Sequence, residues 1–244
     1  AKGNLCKAAS AQTVTGEYDV CSIEGPEEFA ELLSNLKSNN ALIYGIPANN
    51  TTSGAIDSSN KDFIWPTGGG VLMLDFDFNI FPTVEGHDDL IDKISSVIPN
   101  ISELNYVYSE SSSSHIYHGD RDLTGLRGQR LYIFIKDATD IERAGKVIFD
   151  RLWLLGMGYY FISRSGSLLE RSIIDQSVWQ PSRIDFAGGV ECIEPLRQLR
   201  NSPIVNYGDN LDTKTVLVDL TPHELIRLSE RKKDAASVVA IEQE

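Results

Sequence analysis

The stretch GGGVLMLDFDFNI, Gly68 to Ile80, constrains the fold more than any other part of the chain. Val71-Leu72-Met73-Leu74 has the composition of a strand in a sheet core, and it runs into Asp75 and Asp77. An unpaired carboxylate at the end of a buried strand is costly, so it takes up a proton or finds a cation. Residues i and i+2 of a strand share one sheet face, with Cβ atoms about 6–7 Å apart. Asp75 and Asp77 therefore converge on one side of the sheet, and oxygen-only ligation selects Mg²⁺ or Mn²⁺. A third carboxylate from another strand would complete a two-metal site for phosphoryl transfer. Asp185, flanked by Ile184 and Phe186 in SRIDFAGG, is the best candidate. The alternative is structural, with Asp77 capping the next element and Asp75 sitting at a wet strand end.

Around this strand, helical and strand patterns alternate. The spacing predicts helices at 25–38, 87–98 and 139–155. Strands are expected at ALIYGIPA, ELNYVYSES, RLYIFIK and TKTVLVDL, and strand and turn are mixed in GYYFISRSGSLLERSIID. NNTTSGAIDSSNKDFIWP reads as a loop, SSSSHIYHGDRDLTGLRGQ as an irregular excursion. The last helix, TPHELIRLSERKKDAASVVA, opens with a capping box of Thr221 and Glu224. Trp153 lies inside an amphipathic helix and reads as core, Trp179 as a base-stacking candidate, and His87 and His118 as surface loop residues. The expected class is α+β (α/β-like), a mixed sheet flanked by helices. One domain is expected over 1–244, with its core at about 40–200 and a strand-helix extension at 201–244.

Charge and cysteines narrow the functional classes. The net charge of −13 opposes general nucleic-acid affinity, which rests on Lys and Arg. The imbalance is local, since residues 121–200 carry 12 basic and 10 acidic side chains. Acidity elsewhere is compatible with a basic cleft there. Cys6, Cys21 and Cys192 are widely spaced and form no CxxC, so they read as incidental thiols of an intracellular protein. No apolar run is long enough to span a bilayer and no signal peptide opens the sequence, so a cytoplasmic location without membrane contact is expected. The chain starts at Ala1, which points to a piece of a longer protein.

No GxxxxGK[ST] sequence is present, which removes the P-loop route to nucleotides. The serine run 111–114 is a flexible surface loop or, with His115 and Arg130, a turn able to hold a triphosphate.

Taken in order, three features resemble the archaeo-eukaryotic primase superfamily: a hydrophobic strand ending in DxD, a Ser-containing turn before a hydrophobic strand, and a later hydrophobic-Asp strand. The closest likeness is to primase-polymerase domains of phages, plasmids and other mobile elements. It runs over most of residues 60–190, through KDFIWPTGGGVLMLDFDFN and the stretch from RLYIFIK to SRIDFAGG. The resemblance implies that Asp75, Asp77 and Asp185 are catalytic and bind two divalent ions, Mg²⁺ or Mn²⁺. It implies a Ser-x-His second motif that contacts the incoming nucleotide. Ser113-Ser114-His115 fits its letters, while Arg130 stands before the strand where the histidine often lies. Lys61, Arg164, Arg171 and Arg183 are further candidates for nucleotide or template contacts, and Lys136 is expected in the same electropositive cleft. The implied activity is DNA primase or DNA polymerase chemistry. Its partners would be nucleoside triphosphates, a single-stranded DNA template with primer, and a fused or associated helicase. Two other readings stand beside it. One is a non-catalytic nucleic-acid-binding replication-initiation module. The other is a haloacid-dehalogenase-type phosphatase, against which stands Asn79 where that family usually has Thr.

Overall fold

The computed structural model describes residues 5, 15–57, 62–77, 83–163 and 165–241. At its centre is a four-stranded sheet in the order Ile204–Asn206, Tyr106–Glu110, Gly128–Ile135, Gly70–Asp77. All three pairings are antiparallel, so the expected mixed sheet is corrected. The reason lies in strand order. Gly70–Asp77 and Tyr106–Glu110 run the same way, joined across helix His87–Ser95, but Gly128–Ile135 inserts between them and pairs with both. Parallel pairing among the described residues is confined to isolated bridges, Leu104 with Asp209 and Ile135 with Leu211. The class is α+β, with several small antiparallel sheets around this core.

Alternation divides the central sheet into two faces. Leu72, Leu74 and Phe76 point one way, all fully buried. Met73, Asp75 and Asp77 point the other way, where they meet Tyr132, Arg130 and Gly128 in register. Helix Pro26–Asn35 covers the apolar end of this second face. Its Phe29 packs edge-on against Tyr132 at 5.1 Å and Phe134 at 6.0 Å. The acidic end is left open.

The three predicted helices form at Pro26–Asn35, His87–Ser95 and Ile141–Leu154. Trp153 is core, 1% exposed. Trp179 is core too, which corrects its assignment as a base-stacking residue. Its indole donates to the Met73 carbonyl at 2.9 Å and fills the space over Gly145, where a Cβ would lie 2.2 Å from the ring. His87 opens a helix and is half-buried against Tyr106 and Tyr108, so it is not a surface loop residue.

Local propensity misled elsewhere. The segment expected to be loop holds strand Ser53–Asp57, paired with Thr15–Asp19. TKTVLVDL, with its β-branched residues, is a short helix at Thr213–Val216, capped by the Asp212 carboxylate accepting from the Thr215 amide. A local cap overrode propensity there. The Thr221–Glu224 capping box closes both ways, with Thr221 N–H donating to Glu224 at 2.8 Å and Glu224 N–H to Thr221 Oγ1 at 3.3 Å. It opens helix Pro222–Ile241, whose Lys232 ties Asp150 and Glu170 to the core. No helix among the described residues is long and apolar enough to cross a membrane.

Candidate functional site

The antiparallel register sets Arg130 directly across from Asp75, on the same face. Its Nε lies 3.5 Å from Asp75 Oδ1, and its Nη2 lies 3.1 Å from Asp185 Oδ1. The guanidinium thus stands between the two carboxylates, anchored by an Nη1 hydrogen bond to the Phe186 carbonyl at 3.3 Å. It is the cation that the acidic strand end demands. The fit is loose, because neither Arg130 Nε nor Asp185 Oδ1 makes an aligned hydrogen bond.

Asp185 arrives from strand Ile184–Asp185, which pairs with Leu42–Ile43. Its other oxygen, Oδ2, accepts from Tyr44 at 2.6 Å and Tyr132 at 3.0 Å. Burial and this carboxylate push both tyrosines well above the ordinary phenol range, so they remain donors.

Asp75 lives differently. Burial, together with the charges of Asp77, Asp185 and Asp175, pushes it up to about 6, although Arg130 pulls it down. Asp77, more exposed at the strand end, is raised by burial and Asp175, against the pull of Arg130 and Arg171. Asp175 is a carboxylate that the sequence reading passed over. Its amide donates to the Asp75 carbonyl at 2.9 Å, and its side chain caps the turn Gln176–Val178. The pattern Ile173-Ile174-Asp175, with both isoleucines buried, repeats the hydrophobic-Asp signature that singled out Asp185.

The serine turn emerges at the same sheet end, since Gly128 pairs with Asp77 and the Ser111 amide bonds the Gly128 carbonyl at 2.8 Å. Ser113 Oγ lies 3.4 Å from Ser111 Oγ, and the buried Ser114 hydroxyl accepts from the Arg127 amide at 2.9 Å. His115 is committed elsewhere. Its Nδ1 is 2.7 Å from Asp122 and its Nε2 is 3.5 Å from Glu110, so a phosphate would have to displace a carboxylate to reach it. Of the two second-motif candidates, Arg130 is the one in contact with the aspartates. Arg200, also missed, donates to the Glu110 and Ala187 carbonyls at 3.0 and 3.1 Å. Burial and Arg130 lower its affinity for a proton, and no local motif marked it.

The remaining basic candidates scatter. Arg171 acts on Asp77. Arg183 is exposed, two residues before Asp185. Lys136, expected in the same cleft, lies at the far end of its strand beside Asp212 at 3.8 Å, because an eight-residue strand carries it away from Arg130. Lys61 and Arg164 lie outside the described residues.

The donor set suits a hard divalent ion by chemistry, being all carboxylate and incompletely neutralised. By position it is incomplete. Among the described residues no three His, Cys, Asp or Glu side chains are grouped to hold an ion, since Arg130 fills the gap between Asp75 and Asp185.

Against known proteins, the chain matches no family model, no curated protein and no solved structure.

Proposed function

We propose that the chain is a nucleotidyl transferase of the primase-polymerase kind, extending nucleic acid on a template by a metal-assisted reaction. One observation carries the reading: Asp75 and Asp185 flank one guanidinium, and Asp77 follows Asp75 on the same strand face. The resemblance of residues 60–190 to that superfamily supports it from the sequence side.

Asp75 and Asp77 would hold a divalent ion, and Asp185 would join them once Arg130 swings out. When bound, such ions acidify the attacking 3′-hydroxyl and brace the charge growing on the α-phosphate. The protein's share is positioning. Arg130, displaced from its carboxylates, is a fixed cation for the triphosphate, with Arg200 beside it. Tyr44 and Tyr132 keep Asp185 aimed while Arg130 moves. Nucleoside triphosphates and a primed single-stranded template are the proposed substrates, in the replication of a mobile element.

A second reading has an observation of its own. Arg130 neutralises the aspartates without metal, as in a nucleic-acid-binding replication module that has lost its chemistry. No observation favours the phosphatase alternative. Incorporation of a labelled nucleotide into a primed template with Mn²⁺ separates the two. Incorporation by the wild type and its loss in Asp75→Asn/Asp77→Asn support the transferase. Template binding without incorporation supports the module.

A further inference from the structure

We propose that the outward face of the hairpin Gly158–Ile162 and Leu168–Ser172 is a stacking platform for single-stranded nucleic acid leading to the Asp77 end of the sheet. The assignment rests on the nucleotidyl-transfer reading and names a partner surface for it.

The pairing is Tyr159 with Arg171, Tyr160 with Glu170, and Phe161 with Leu169. Tyr160 and Glu170 fix which face is inward, for the Tyr160 ring packs at a tilt 5.3 Å from Trp153 and Glu170 is bound by Lys232. Tyr159, Phe161, Leu169 and Arg171 share the opposite face, with Phe161 exposed and the other three half-buried. Phe161 is 54% exposed, the most exposed phenylalanine among the described residues. A single exposed aromatic is ordinary, but this one continues a line. Tyr159 sits about 7 Å along the same strand face, and both it and Arg171 lie close enough to Asp77 to exchange charge effects with it. Arg171 has no carboxylate within ion-pair distance among the described residues, and its Nη1 donates to its neighbour's carbonyl, Glu170 O, at 3.3 Å. Two aromatic rings and a guanidinium that closes no ion pair among the described residues, in line with the acidic end, match a base-and-phosphate chain. The hairpin is also held at its tip. Ser163, Ser165 and Ser167 link their hydroxyls at 2.9 and 3.3 Å, and the Ser167 amide donates to Ser163 Oγ at 3.0 Å. The platform is thus preformed.

The test measures anisotropy of a short fluorescent oligothymidine with the whole chain in EDTA, so that no metal or nucleotide transfer is involved. Phe161→Ala should weaken binding roughly tenfold and Phe161→Trp should retain it, with unchanged melting temperatures. Arg171→Gln should weaken binding and reduce the salt slope by about one. Wild-type affinity in Phe161→Ala, or no binding by the wild type, overturns the platform. So does an effect of Phe161→Ala confined to self-association. The two proposals fail separately. Nucleotide incorporation with binding indifferent to Phe161 sinks the platform alone, whereas Phe161-dependent binding without incorporation leaves the platform and removes the activity.

Discussion

Asp75 and Asp185 touch the same guanidinium yet live in opposite conditions. Asp185 is 3% exposed and meets two tyrosine hydroxyls and Arg130. Asp75 has Arg130 at 3.5 Å, three carboxylates nearby, and a proton affinity raised to about 6. One aspartate is built into the fold and the other is left wanting a charge. A buried carboxylate held by two hydroxyl donors and a guanidinium belongs to structure, while one with a strongly perturbed proton affinity is where chemistry is sought. On the proposed nucleotidyl-transfer reading, the difference puts the reactive side at the Asp75–Asp77 strand end.

The largest effect expected from this contrast is on activity. If the chain is the proposed nucleotidyl transferase, Asp75→Asn/Asp77→Asn should lower nucleotide incorporation by several orders of magnitude, because the charge of the metal ligands would carry most of the transition-state stabilisation. The same variant should melt at or above the wild-type temperature at neutral pH, since it removes repulsion and leaves Arg130 its contact with Asp185. A strongly destabilised variant with near-normal incorporation would make the pair structural.

Asp185→Asn should act on the fold itself. It keeps the shape but strips the charge from a site holding Arg130, so the guanidinium stays buried with only Asp75 near it. About 3 kcal/mol should be lost in denaturant unfolding. A loss under about 1 kcal/mol would erase the distinction between the two aspartates.

The contrast also has a pH signature. Asp75 is raised from 3.8 to about 6, so its protonated form is favoured in the folded state. Its contribution to stability is complete below about pH 4 and is lost as pH rises through about 6. The two-unit gap is worth on the order of 3 kcal/mol, from about 1.4 kcal/mol per unit. Unfolding free energies of wild type and Asp75→Asn should therefore diverge across that window, in favour of Asn at the upper end. Parallel curves would show that Arg130 already compensates Asp75 fully.

The sequence made the site more legible than its setting. The run Val71–Leu74 and the i, i+2 rule placed Asp75 and Asp77 on one face, because strand geometry is local. Arg130 stood out by its position at a strand start, yet its register opposite Asp75 is a product of antiparallel pairing with a strand distant in sequence, which no local pattern announces. Tyr44 and Tyr132 carry no motif within their predicted strands, and only tertiary packing turned their hydroxyls onto Asp185. Helices with amphipathic spacing were readable to within a few residues, whereas Ser53–Asp57 and Thr213–Val216 depended on a distant strand partner and a local cap. Asp175 was readable in principle, by the same hydrophobic-Asp pattern as Asp185.

The smallest effect sharpens the comparison most finely. Tyr44→Phe removes one hydroxyl and leaves the ring that packs 6.2 Å from Tyr132. The hydroxyl's main bond is to Asp185 Oδ2 at 2.6 Å, with a weaker contact to Met73 Sδ at 3.6 Å. A hydrogen bond to a charged group is worth about 1.5–3 kcal/mol. Here the Tyr132 hydroxyl remains on the same oxygen, so the lower end, about 1.5 kcal/mol, is expected in denaturant unfolding. The consequence for Asp75 should be indirect. With one donor gone, Asp185 draws more on Arg130, and Asp75 loses part of the pull that holds its proton affinity down. The pH window of Asp75 should then move upward in Tyr44→Phe, visible by carboxyl-carbon NMR titration. If stability falls while that titration stays in place, Asp185 and Asp75 are independent, and the shared guanidinium does not couple them.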